Sequence, residues 1–175
     1  LFDFPMYITV IALIVTIGTI NAYNFMDGIN GITAAYSVAV LGLLAITNHY
    51  IHFIDDLLLY VSILATVVFG FFNFRNKAKC FAGDVGSVSM AFLVVFLIAK
   101  LIVTTQNPIF ILYLLIYGLD TVWTILRRLS KKENIFKAHR SHLYQFMANE
   151  AKINKLLVSS SYGIIQFALG LIVLY

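Results

Sequence analysis

Long apolar runs separated by short polar segments dominate the chain. Reading each run as one helix predicts spans at about 5–22, 32–48, 57–73, 88–105, 108–126 and 156–175. At about 1.5 Å of rise per residue, runs of this length approach the ~30 Å thickness of a bilayer core. The roughly 10-residue alternating segments of a transmembrane barrel are not found. The fold class expected is all-α, a polytopic integral membrane helical bundle in a single domain over 1–175. With 61% hydrophobic and 11% charged residues, the chain has too much apolar surface for a water-soluble ball of this size.

The polar segments are 21–31, 49–56, 74–87, a turn at 106–108, and the loop 127–155. Because each span crosses once, 21–31, 74–87 and 127–155 share one side. Eleven of the twelve Lys and Arg residues fall in 74–87 and 127–155, so the positive-inside rule makes that side cytoplasmic and both chain ends external. Lys100, the exception, lies within snorkelling reach of the far interface. The net charge of +4 is thus a matter of topology and not a nucleic-acid signature. Cys80 is the single cysteine, which excludes an internal disulfide, and it is given no role. Leu1 opens directly into an apolar run with no basic leader, so the chain reads as a piece of something longer.

Candidate chemistry concentrates in the cytoplasmic segments. In 73–87, Asp84 stands between Gly83 and Gly86, a loop that can come close to a ligand with one hard-oxygen side chain and that suits a phosphate-bound Mg²⁺. Arg75, Lys77 and Lys79 precede it and favour an anionic ligand or lipid headgroups. In 21–31, Asn21, Asn24 and Asp27 follow at helical spacing on one stripe that runs into Gly28 and Gly31. That stripe either meets a polar ligand or is a capped helix end with a glycine stop. In 127–155, His139, Arg140 and His142 sit in cationic company that suits phosphate better than a metal pair, and a solvated basic loop is the plainer alternative.

Two further groups draw attention. His49, His52, Asp55 and Asp56 have metal-like spacing but fall on the external side. Asp120 lies inside a span, where an ionisable residue is a functional candidate; a structural ion pair with Arg127 or Arg128 is the competing expectation.

Three strings together carry a resemblance: Asn21-Ala22-Tyr23-Asn24-Phe25-Met26-Asp27-Gly28-Ile29-Asn30-Gly31, Phe81-Ala82-Gly83-Asp84-Val85-Gly86-Ser87 and His139-Arg140-Ser141-His142-Leu143-Tyr144-Gln145. In this order and spacing they resemble the polyprenyl-phosphate N-acetylhexosamine-1-phosphate transferases of glycosyltransferase family 4. The family has about ten spans and an Asp-Asp-x-x-Asp motif in an earlier cytoplasmic loop, so the resemblance makes this chain the last six spans of a longer transferase, inactive alone.

The activity implied is transfer of a sugar 1-phosphate from a UDP-sugar to a polyprenyl phosphate with release of UMP, at the cytoplasmic face of the inner (plasma) membrane. By resemblance Asp84 is the principal ligand of Mg²⁺, with Mn²⁺ as the substitute, and Asn24 also approaches the metal. Phe81 and Asn30 look like uracil contacts, and Asn21 and Gly83 join the substrate-binding set. Asp27 matches an essential acidic position, while His139, Arg140 and His142 look like the pyrophosphate-holding group.

The arginine between the two histidines resembles the branch that uses UDP-GlcNAc or a close relative and undecaprenyl phosphate to start surface polysaccharides such as O-antigen lipopolysaccharide. The alternatives are the phospho-MurNAc-pentapeptide transferase of cell-wall synthesis, a non-catalytic membrane fragment, and a transporter, which would place its polar groups near the midplane. The implied partners are the nucleotide sugar, the lipid phosphate, the membrane and, as one option, a second copy in a homodimer, with no nucleic acid.

Overall fold

The structure is a computed structural model that describes residues 5–134 and 141–175. Among these residues every regular element is helical. Helices α1 (Met6–Met26), α2 (Ile32–Ile51), α3 (Asp56–Asn73) and α4 (Gly83–Thr105) are followed by a 3₁₀ stretch, Pro108–Leu114, that continues as α5 (Leu115–Ser130). A single turn, α6 (Leu143–Gln145), precedes the last long helix, α7 (Lys155–Leu174). Six segments are long and apolar enough to cross a membrane, at the six expected places. The chain is a multi-pass membrane protein.

Helix α2 is the centre of the bundle, with α7 and α3 as its main neighbours, while α1 packs chiefly on α4. Lipid tails are as apolar as leucine, so helix association in a bilayer rests on close packing and polar contacts more than on water exclusion. Both are present along α2 and α7. A Cβ on Gly163 would stand 2.9 Å from the Ala35 carbonyl oxygen, and one on Gly170 would overlap Leu43. The missing side chains are what allow the two backbones to approach.

Gln166, fully buried on α7, serves the junction between the 3₁₀ stretch and α5. Its Nε2 donates to the Leu112 carbonyl at 3.1 Å, and its Oε1 accepts from the Ile116 N–H and the Tyr36 hydroxyl, both at 3.0 Å. A change of helix type in a bilayer frees backbone groups that water cannot reach, and this side chain satisfies them.

Four boundaries differ from expectation by three or more residues; α2 ends at Ile51 and α5 at Ser130, past the expected 48 and 126. Helix α1 runs on to Met26, so Asn21 and Asn24 lie within it, and α4 begins at Gly83 and not near 88. Polar residues in the first or last turn of a membrane helix are indistinguishable from loop residues by hydropathy alone.

The polar segments 21–31, 74–87 and 127–155 meet, in their described residues, at one end of the bundle. Asn30 Nδ2 donates to the Arg75 carbonyl at 2.8 Å, Ser159 donates to the Asn30 carbonyl at 2.8 Å, and the Tyr144 hydroxyl donates to the Phe25 carbonyl at 2.8 Å. In a Cys80→Ser background, a single cysteine at position 54 is expected to react with impermeant maleimide only from outside the cell, and one at Lys77 only from inside. The reverse pattern would overturn the orientation drawn from the charges.

Candidate functional site

The end of α1 and the start of α4 form the centre of this polar end. Asp27 closes α1, and its Oδ1 accepts from the Thr33 hydroxyl at 2.6 Å. The Gly83 N–H and the Asp84 charge both lie near enough to act on this carboxyl. Burial pushes the Asp27 carboxyl above its ordinary value; Thr33 and Gly83 offset part of this, and the Asp84 charge adds to it. One turn earlier on α1, Asn24 Oδ1 lies 2.9 Å from the Ser87 hydroxyl, which also reaches the Gly83 carbonyl at 2.8 Å. Asn24, Asp27, Gly83, Asp84 and Ser87 thus form one neighbourhood at the α1–α4 seam.

Asp84 is placed by a helix start and not by the glycine-flanked loop expected from the sequence. Gly83 alone is left-handed, at φ +60°, while Gly86 sits within the first helical turn. An aspartate in a first turn is favoured by the unsatisfied N–H groups and dipole there. This gives Asp84 a fixed base while leaving its side chain exposed. Phe81, just before the turn, is 70% exposed.

Asn30 joins the same end, but its Nδ2 is committed to the carbonyls of Arg75 and Asn76 (2.8 and 3.1 Å), so a hydrogen bond to a nucleobase would have to use Oδ1. Gly31, at φ +85°, gives its N–H to Asn73 Oδ1 at 2.8 Å, and together these bonds dock the 28–31 turn on the segment that leads to Phe81. Asn21 lies exposed on α1, one turn from Asn24.

Of the third segment, residues 127–134 and 141–155 are described. His139 and Arg140 lie outside the described residues. His142 is buried, with Nδ1 3.2 Å from Asp120 Oδ1. This replaces the expected ion pair of Asp120 with Arg127 or Arg128: Arg128 pairs with Glu133 at 3.0 Å, and Arg127 donates to the Ser141 carbonyl at 2.9 Å. Two helical turns separate Asp120 from these arginines, about 10–12 Å along the axis, so the pair expected from sequence cannot close. The sequence marked Asp120 as an ionisable residue in a span, but its partner 22 positions away was not readable.

The acidic residues of the 49–56 group have structural work at the other end of the bundle. Asp55 caps α3 through the Leu57 N–H at 2.7 Å, and Asp56 accepts from Asn48 Nδ2 at 2.6 Å. Among the described residues no three His, Cys, Asp or Glu side chains meet as a metal group. A cation at the α1–α4 seam would therefore draw on two carboxylates, a carboxamide, water and substrate oxygens. That donor set suits Mg²⁺, which keeps several waters and takes few protein ligands, and it would relieve the repulsion between Asp27 and Asp84.

Residues 1–102, which include both the Asp27 and the Asp84 segments, match the profile of Glycosyl transferase family 4. The chain belongs to this family. A relative from Bacillus subtilis, a probable undecaprenyl-phosphate N-acetylglucosaminyl 1-phosphate transferase, is 30% identical over 135 residues, covering 73% of this chain and 37% of the relative. A phospho-N-acetylmuramoyl-pentapeptide-transferase from Enterococcus faecalis is 31% identical over 163 residues, covering 91% and 50%. One of the same description from Streptococcus mutans is 32% identical over 132 residues, covering 73% and 38%. The glycosyl transferase family 4 chain described here thus spans half or less of the length of these curated relatives.

Proposed function

We propose that the chain is part of an enzyme that transfers N-acetylhexosamine 1-phosphate from a UDP-sugar to a polyprenyl phosphate and releases UMP, at the cytoplasmic face of the plasma membrane. The observation that carries this reading is the meeting of Asn24, Asp27 and Asp84 at one end of a membrane bundle, beside an exposed Phe81. A site at a bundle end is where a membrane-held lipid and a soluble nucleotide can reach each other.

In the proposed reaction an oxygen of the lipid phosphate attacks the phosphorus that carries the sugar, and the bond to the UMP oxygen breaks. Both substrates are anionic, so repulsion is a large part of the barrier. Mg²⁺, when bound, would neutralise phosphate charge. Asp84, with Asn24, would hold it; Phe81 would stack on the uracil, with Asn30 beside it; and His139 and Arg140 would bind the pyrophosphate, with His142 buried against Asp120 behind them in sequence. Asp27, whose carboxyl is pushed up by burial and by Asp84, would be stabilised as an anion once a cation is bound.

UDP-GlcNAc or a close N-acetylamino sugar is the proposed donor and undecaprenyl phosphate the acceptor, supported by the Bacillus relative's description and by the arginine between His139 and His142. The peptidoglycan donor is the second reading, favoured by the Enterococcus and Streptococcus relatives. Native membranes containing the full natural gene product, given radiolabelled lipid phosphate and each donor in turn, decide between them. Faster product formation from UDP-GlcNAc is expected. Faster transfer from UDP-MurNAc-pentapeptide would move the chain to the peptidoglycan branch.

A further inference from the structure

Asp120 is 5% exposed inside a membrane-spanning segment, where a carboxylate persists only if its oxygens are well supplied with donors. Its Oδ1 accepts from the Leu143 N–H at 2.9 Å and lies 3.2 Å from His142 Nδ1 and 3.3 Å from the Thr124 hydroxyl. Its Oδ2 accepts from the Tyr162 hydroxyl at 2.6 Å and the Tyr144 N–H at 3.3 Å. Three of these donors belong to consecutive residues, 142 to 144, at the N-terminal edge of the short α6.

The same short segment reaches onward to α1. The Tyr144 hydroxyl donates at 2.8 Å to the Phe25 carbonyl, in the last turn of α1 and two residues before Asp27. A Cβ on Gly28 would overlap that hydroxyl, so the residue after Asp27 leaves the space Tyr144 occupies. A continuous line of hydrogen bonds therefore joins α7 and α5, through Asp120 and the backbone of 142–144, to the end of α1.

We infer that Asp120 is a positioning residue for the site: it fastens the 142–144 segment inside the bundle and, through the Tyr144 hydroxyl, sets the end of α1 that carries Asp27. The assignment concerns geometry, and its kinetic consequence rests on the transferase reading above. Asp120 acts through other residues and need not touch a substrate. The 28–31 turn is held by separate bonds to 73–76, and Asn73 Nδ2 donates to the carbonyl of Cys80 next to Phe81, so nucleotide binding is expected to survive when the Asp120 anchor is cut.

The test places a reporter cysteine at Ser141 in a Cys80→Ser background, with Lys77→Cys as a control on a different loop of the same face. Asp120→Asn removes the charge and one acceptor; Tyr144→Phe removes only the link to Phe25 and leaves Asp120 in place. Maleimide labelling of position 141 in membranes is expected to quicken about tenfold in Asp120→Asn, the size expected for loss of a buried charge-assisted hydrogen bond, and by a smaller factor in Tyr144→Phe, with labelling at 77 unchanged. In the active enzyme both variants should lower kcat, Asp120→Asn by about tenfold or more, while KM for the nucleotide sugar stays within about threefold.

Unchanged labelling at 141 in both variants overturns the inference, as does an equal rise at 77, which would mean general loosening. A fall in kcat with unchanged labelling also overturns it, since Asp120 would then act on substrate directly. If Asp120→Asn does not accumulate in membranes, Tyr144→Phe alone decides. If the parent releases no UMP from any UDP-sugar, the transferase reading fails, and the labelling still decides the positioning role.

Discussion

Asp84→Asn is expected to lower turnover of the full natural gene product by two or more orders of magnitude, with little change in the amount of protein in the membrane. Removing the charge weakens the best-placed anion for a phosphate-bound cation. That interaction is worth several kcal/mol in the transition state, and each ~1.4 kcal/mol is a factor of ten in rate. Little structural damage should accompany the loss, because Asp84 is exposed and Asn is also tolerated in a helical first turn. Asp55→Asn and His52→Ala are the controls. They alter a cap and a turn at the opposite end of the bundle, so turnover should stay within about twofold of the parent, on the scale of a surface substitution of ~0.5 kcal/mol. UMP release measured at saturating Mg²⁺ reads all three. Near-normal turnover of Asp84→Asn would remove the centre of the proposed site.

Gly31→Ala is expected to produce the second large effect, on stability and activity together. Gly31 opens α2 at φ +85°, where an L-residue is strained by about 1–2 kcal/mol. A Cβ there would also overlap the Phe74 ring, and overpacking adds roughly 1–3 kcal/mol. The 28–31 turn cannot relax freely, because Asn30 and Gly31 are both bonded to 73–76. The expected result is a marked fall in thermal midpoint in detergent and a loss of nucleotide affinity, since the same bonds position the segment that leads to Phe81. Gly18→Ala provides the contrast: a Cβ there meets nothing within 4 Å, and alanine in a helix interior is favoured over glycine by about 0.5–1 kcal/mol. An unchanged midpoint for Gly31→Ala would mean that the turn and Phe74 can yield, against the geometry described.

The six spans were legible in the sequence because each is a nearly unbroken apolar run, and hydrocarbon tolerates little else. The grouping of 21–31, 74–87 and 127–155 at one end followed from parity, and the hydrogen bonds that join Phe25, Asn30, Arg75, Tyr144 and Ser159 agree with it. Asn24, Asp27 and Asp84 stand out in the sequence as polar residues at glycine-rich boundaries. What these residues meet was not readable, because the contacts cross between helices. Ser87 with Asn24 joins positions 63 apart, and Gly31 with Asn73 joins positions 42 apart.

Helix ends are hard to place from hydropathy, since first and last turns are as polar as loops. Asp84 therefore looked like a loop residue until the backbone placed it on the first turn of α4. Asp120 shows the same limit from inside a span. Hydropathy marks it as costly and sequence distance suggests the arginines, but a buried carboxylate takes the donors that packing brings to it. Here those are His142, Leu143, Tyr144 and Tyr162, up to 42 positions away. Composition and periodicity alone determine that this chain lives in a membrane and which end of the bundle is polar. Only tertiary packing decides which of the polar residues face one another, because that depends on helix neighbours and rotations that a one-dimensional pattern does not contain.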